Sequence, residues 1–185
     1  RADLSFSTAG VYSVEVVAES IAGPEVVALF RVQAGPASKD ATAPPRLEPE
    51  RADLEKAKAQ VLTAINTRRR GRQLTGLARS ALLDAIAEEH AAEMVRLGYF
   101  AHVSPVGGDV GKRLERAGFA YARVTENLGE ADSALEAHRV IEASPGHLAN
   151  VLDPGVALVG LGAARVRRGS VENVILVEVY AQPRR

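Results

Sequence analysis

The chain has 185 residues, sets 23 basic against 23 acidic side chains, and is 46% hydrophobic and 25% charged, as an ordinary soluble globular protein is. That balance leaves no global field to draw nucleic acid or an anionic membrane, and no apolar run approaches the roughly eighteen residues a bilayer span needs. The absence of cysteine excludes disulfides and thiolate metal sites but does not fix the compartment. The length suits one domain, or one domain with a small appendage. The start at Arg1, without methionine, suggests a processed protein or a fragment and leaves secretion open. Nineteen arginines among the basic residues, with abundant alanine, point to a GC-rich bacterial genome.

Residues 1–34 hold two Val-rich runs, "GVYSVEVVAES" and "PEVVALFRVQAG", which read as an antiparallel β-hairpin. Tyr12, Val14, Glu15, Val16 and Val17 do not alternate cleanly, so both faces are expected to be partly covered. A lone hairpin is marginal; this one is either the tail of a partial β-sandwich or a piece packed on the main domain. Residues 35–50, "GPASKDATAPPRLEPE", are proline-rich, nearly free of large apolar side chains, and read as a linker.

From Arg51 to Arg185 the pattern is that of a second domain. Leu54, Ala57, Val61, Ala64 and Ile65 predict a helix over 51–69, closed by "RRRGR", a basic turn expected to be solvated at a helix C-terminus. A second helix is predicted from about Ser80 to Leu97, with Leu83, Ile86, Met94 and Leu97 on one face. A loop through "GYFAHVSPVGGD" follows, then short helices near 109–117 and 132–143. Two closing strands, "VALVGLGAARV" and "VENVILVEVYA", join at Arg168-Gly169-Ser170. Helices first and strands last argue an α+β fold, helices on a small antiparallel sheet.

The four histidines are the first places to look for chemistry. His90 shares the apolar stripe of its helix and reads as a core residue with one hydrogen bond satisfied. His102, in a Gly/Pro-rich loop after a helix, is placed either to line a cleft or to sit on the surface. His138 and Glu142 are one turn apart, suited to a metal or, more simply, to an exposed ion pair. His147 lies in "SPGHLANVLDPG", where Ser144 suits an N-cap and Pro145 the first helical position. The helix dipole there disfavours imidazolium, so a neutral ring is expected, one able to bind a metal, accept a proton or hydrogen-bond. Glu126 and Asn127, in "VTENLGE", sit at the end of a short extended segment and serve as a strand end, a cap or a site. No HExxH, GxSxG, phosphate loop or paired-carboxylate signature is present, and "GLGAAR" has the wrong spacing for nucleotide binding.

In order, these segments resemble the CAP superfamily (cysteine-rich secretory, antigen 5, pathogenesis-related 1), particularly the bacterial SCP-like domain. "INTRRRGRQLTGLARSALLDAIAEEHAAEM" resembles its opening, with Asn66, Leu74, Leu77, Leu82 and His90 in order. "GYFAHVSPVGGDVGKRLERAGF" resembles the histidine loop, "TENLGE" the Glu-Asn segment and "SPGHLANVL" the second histidine segment. "VALVGLGAARV" and "VILVEVYA" resemble the final strands, so the likeness covers about 51–181. It implies an α-β-α sandwich whose cavity is lined by His102, Glu126 and His147, with Ser104 and Asn127 beside them. Eukaryotic members usually add a second glutamate; Glu142 and Glu136 are candidates by proximity in sequence. Ile141 stands where many bacterial members have Trp, and Leu148 where they often have Arg.

The resemblance implies an extracellular or envelope-associated module, and the fold itself names no reaction. The leading expectation is a binding module holding a small ligand, a lipid, a cell-envelope component or a divalent metal such as zinc, with His102, His147 and Glu126 as metal ligands. The alternatives are a zinc-dependent hydrolase, with Glu126 as third ligand or general base and amides at 144–147 as oxyanion donors, and a structural or adhesive envelope module.

Overall fold

The computed structural model describes residues 5–20, 23–35, 50–168 and 171–184. Most of the expected linker (36–49) and the Gly169-Ser170 turn lie outside the described residues. β1 (Gly10–Ser20) and β2 (Gly23–Ala34) form the antiparallel hairpin, a two-stranded sheet of its own. A register shift between Val16 and Val17 interrupts the pairing where the alternation fails.

The rest is an α-β-α sandwich around the sheet order β3-β5-β6-β4. Its elements are α1 (Glu50–Arg70), β3 (Ala78–Arg79), α2 (Ala81–Leu97), α3 (Val110–Arg116), β4 (Tyr121–Ala131), α4 (Ala134–Ala143), α5 (Pro145–Val151), β5 (Leu158–Arg168) and β6 (Val171–Pro183). The sheet is mixed, because β3 runs parallel to β5 while β6 is antiparallel to both β5 and β4. The two-residue β3 has no pattern that would show in sequence. β2 lies against β4 and α5.

β6 is buried on both faces, which is why "VILVEVYA" shows no alternation. Val174, Leu176 and Tyr180 join Val61, Ile65, Ala137 and Ile141 in the core under α1, α4 and α5. Ile175, Val177, Val179 and Ala181 join Leu83, Ala87, Met94 and Leu114 in the core under α2 and α3. The glycines of "GLGAAR" belong to this second interface. A Cβ on Gly160 would lie 2.2 Å from the Leu83 backbone, and one on Gly162 2.1 Å from that of Ala87, so their absence lets α2 settle directly on β5.

α2 is capped as its sequence suggests: Ser80 Oγ accepts from Leu83 N, and Gly98 closes the helix in the left-handed region at φ 71°. The basic turn after α1 departs from expectation. Arg68 and Arg70 are exposed, but Arg69 is 1% exposed. It donates from Nε to Thr75 O at 2.9 Å and from Nη1 to Val151 O and Asp153 O at 2.8 and 2.9 Å. Arg69 thus leaves solvent to satisfy the open carbonyls at the end of α5, where a cation also suits the dipole. Asn66 exchanges two hydrogen bonds with the Leu77 backbone, at 2.7 and 3.1 Å, and fixes the chain entering β3.

Candidate functional site

Glu126 lies in the middle of the 11-residue β4, not at the end of a short segment. Its neighbours in the alternation separate by face: Leu128 packs in the core under α2, whereas Gly129 meets Ala137 and Ile141 of α4. Glu126 therefore faces α2 and α3, and Asn127 faces α4 and α5. Because β4 is an edge strand, loops from both layers meet around it.

The buried Glu126 carboxylate collects three donors. His102 Nδ1 is 2.9 Å from Oε2, His90 Nδ1 is 3.2 Å from Oε1, and Arg113 Nη2 donates to Oε1. Burial alone would raise its pKa; the hydrogen bonds from His102 and His90 and the charge of Arg113 outweigh that and bring it down to about 2. An ionised carboxylate only accepts, so both imidazoles carry their proton on Nδ1. In its neutral form His102 then presents an Nε2 lone pair at a ring 16% exposed. His90 is, as expected, a core histidine with one hydrogen bond; that the bond goes to the site carboxylate was not legible.

Arg113 fixes the loop that carries His102. Its Nη1 donates to His102 O at 3.1 Å and to Gly108 O at 2.7 Å, while Nη2 holds Glu126. Nothing in the local sequence singles it out. Ser104 braces the same loop from inside: its Oγ donates to Glu93 Oε1 at 2.6 Å, beside the Tyr99 hydroxyl at 2.7 Å, and accepts from the Val106 and Gly107 amides. Burial and the Glu93 carboxylate push Tyr99 up to about 12. Ser104 lines an open depression with Val106, Lys112 and Arg116, and that depression does not include His102, Glu126 or His147.

His147 arrives from the other layer. Ser144 Oγ accepts from His147 N at 3.5 Å and Pro145 occupies the first turn, the cap read from the sequence. Asn127 Nδ2 donates to His147 O at 3.1 Å, and Asn127 Oδ1 accepts from Asn150 Nδ2 at 2.8 Å, so Asn127 ties α5 to β4. The centroids of the His102 and His147 rings are 6.4 Å apart. His102, Glu126 and His147 are thereby brought together, while Asn127 and Ser104 support the helix and the loop.

The carboxylate of Glu126 is spent on its three donors. Among the described residues no group of three or more His, Cys, Asp or Glu side chains is set to hold a metal ion. A Zn–N bond of about 2.0–2.1 Å puts the centroids of two coordinating imidazoles roughly 5–6 Å apart. The rings would need to close slightly, and Glu126 would act as the outer partner that orients one of them. A three-ligand centre of His102, Glu126 and His147 does not fit this arrangement. The amides at 144–147 are also largely committed: Ser144 N donates to Ile141 O, Pro145 has none, and His147 N goes to Ser144 Oγ.

His138 and Glu142 are not an exposed ion pair. His138 is 0% exposed, with Nδ1 2.7 Å from Glu178 Oε1 and Nε2 3.7 Å from Glu142 Oε1. Glu142 is also 3.7 Å from Arg68, and Glu136 pairs with Arg139 at 3.1 Å. The described contacts of both candidate second glutamates are with α1 and α4, not with Glu126. Glu178 was missed; its signal was a lone carboxylate in an apolar strand run, which needs a partner when buried.

The model of the cysteine-rich secretory protein family, CAP, matches residues 62–180. The sequence matches no curated relative. Among solved structures, the fold is similar to an extracellular protein containing an SCP domain from Bacillus anthracis (TM-score 0.64, 22% identity, 82% of this chain and 46% of that one). It is also similar to an outer surface protein from Borrelia burgdorferi (TM-score 0.62, 16% identity, 71% and 96%) and to a cysteine-rich secretory protein from Staphylococcus aureus (TM-score 0.60, 14% identity, 78% and 43%). This chain spans less than half the length of the Bacillus and Staphylococcus proteins. With the family model covering more than half of its residues and the sandwich in place, the chain belongs to the cysteine-rich secretory protein (CAP) family.

Proposed function

We propose that the chain is an extracellular or envelope-associated binding module that grips its ligand between His102 and His147 at the edge of β4. The observation that carries this reading is the 2.9 Å contact of His102 Nδ1 with Glu126, a carboxylate already neutralised by Arg113. It fixes the tautomer that leaves an Nε2 lone pair on a His102 ring 16% exposed, and it spends no charge on the ligand. The pair suits the polar head of a small molecule, or a divalent cation completed by water. The Bacillus and Borrelia proteins, described as extracellular and outer-surface, support the location. The amides of Ser144 and His147 already have acceptors within the chain, which favours binding over hydrolysis.

Calorimetric titration with zinc near neutral pH tests the reading, using wild type, His102→Ala and His147→Ala. The expected result is one ion per chain, with affinity at least tenfold lower in each variant. Phosphatidylcholine vesicles provide the lipid arm. If neither zinc nor vesicles shift the His102 and His147 ring resonances, the cleft is not a binding site for either class.

A further inference from the structure

A second polar centre lies on the opposite face of the sheet, under α4. His138 and Glu178 are both 0% exposed and 2.7 Å apart. Glu178 Oε2 accepts from the Tyr180 hydroxyl at 2.7 Å and from Asn127 Nδ2 at 3.3 Å. The same Asn127 amide holds the His147 carbonyl at 3.1 Å. One side chain therefore links the buried carboxylate to the first turn of α5.

We infer that His138 and Glu178 form a buried positioning pair for His147, acting through Asn127, so that the charge on His138 sets where His147 stands in the cleft. With His138 protonated, its charge offsets Glu178 and the network is balanced. When His138 loses its Nε2 proton, Nδ1–H, Tyr180 and Asn127 still donate to Glu178, but the buried carboxylate has lost its countercharge and pulls harder on each donor. Asn127 is drawn toward it, and the His147 carbonyl moves with Asn127. His90 and Arg113 lie on the other face and are not part of this linkage.

The groups around His138 favour this behaviour. Glu178 and Tyr180 face it from β6, Glu142 and Arg139 belong to its own helix, and Arg68 and Arg69 approach from α1. β4 turns Asn127, Gly129 and Ala131 to this side, none of them titratable, and the titratable residue of α5 is His147. His138 Nε2 and Glu142 Oε1 are buried, 3.7 Å apart, and without a hydrogen-bond partner among the described residues. The second ring nitrogen thus faces a carboxylate that a small shift would engage. Burial lowers the His138 pKa, but Glu178 and Glu142 outweigh it and the net shift is upward.

The inference rests on the cleft reading only for the purpose of His147; the coupling itself is measured without ligand. Long-range proton–nitrogen NMR spectra of the histidine rings, recorded over about pH 5 to 9, provide the readout. In the wild type, His147 should show a second inflection at the midpoint of His138, and the Asn127 side-chain amide should move in the same step. In the His138→Gln/Glu178→Gln double variant, which removes both charges together, the inflection should vanish while the His90 and His102 signals stay in place. Asn127→Ser serves if the double variant does not fold: His138 should keep its midpoint while His147 loses the inflection. A wild-type His147 without that inflection, or an inflection that survives Asn127→Ser, overturns the inference, whatever the outcome with zinc.

Discussion

Two glutamates stand almost back to back in this sheet. Glu126 pairs across strands with Val179, and Glu178 pairs with Asn127, the next residue of β4. Each carboxylate is buried and each holds a histidine Nδ1. What differs is the countercharge and the exit. Glu126 is neutralised by Arg113, whose charge is permanent, and its partner His102 reaches the surface. Glu178 depends on His138, whose charge is not permanent, and the pair is sealed under α4. A permanent cation leaves the neighbouring imidazole free of charge balancing; a titratable one makes the same chemistry dependent on pH.

The largest effect should come from removing either carboxylate. Breaking a buried pair by deleting one partner costs about 3–5 kcal/mol because the other charge is stranded. Glu178→Ala should reach that range by leaving the Tyr180 hydroxyl and the His138 ring without an acceptor where no solvent reaches. Glu126→Ala should cost about 2–3 kcal/mol, because Arg113 keeps two carbonyl acceptors and water can reach His102. Urea denaturation at neutral pH ranks the two, and a larger loss in Glu126→Ala would erase the distinction between sealed and open centres.

The two centres should also fail at opposite ends of the pH scale. Glu126 has its folded pKa lowered from 4.5 to about 2, so its contribution is complete above the unfolded value and is lost as pH falls through about 2. The shift corresponds to roughly 3 kcal/mol. His138 has its folded pKa raised above 6.5; its contribution is complete below that value and disappears as pH rises through the folded one. Denaturation midpoints across the range should therefore fall on both sides. Glu126→Gln should flatten the acid limb alone, and His138→Gln the alkaline limb alone.

Local chemistry made part of this legible. The Ser80 and Ser144 caps, the apolar stripe of α2 and the hairpin each follow from residues within one turn or one strand pair, and the ordered histidine segments carried the family resemblance. β4 was harder, because "YARVTENLGEA" serves two faces at once and so lacks the alternation of a half-buried strand. The partners of Glu126 come from α2, α3 and the intervening loop, and His138 meets Glu178 from a distant strand. No spacing rule reports such contacts. Arg69 looked solvated because its two neighbours are.

A smaller test compares how closely helices approach the two faces. Gly162→Ala would drive a methyl into the Ala87 backbone, which cannot turn aside, and should cost about 1–3 kcal/mol. On the other face, a Cβ on Gly129 would lie 2.8 Å from Ala137 O and 3.0 Å from the Ile141 side chain, which can partly yield. Gly129→Ala should cost about 1 kcal/mol. Thermal melts of the two variants give the order; equal losses would mean that α4 sits as rigidly on the sheet as α2.

The smallest effect separates stability from placement. Ser80 and Ser144 cap α2 and α5 in the same way, each accepting an amide at 3.5 Å, and either Ser→Ala change should cost about 1 kcal/mol. α2 has 17 residues and a core face to hold it in place, so Ser80→Ala should leave His90 where it is. α5 has seven residues, fastened by Asn127 at its first turn and by Arg69 at its last. Loss of its cap should let that first turn relax around the Asn127 bond and displace the His147 ring. Ser144→Ala should therefore shift the His147 ring resonances and weaken zinc binding several-fold, while Ser80→Ala at the same stability loss does neither. Equal effects of the two caps on the cleft would show that His147 is held by the sheet alone.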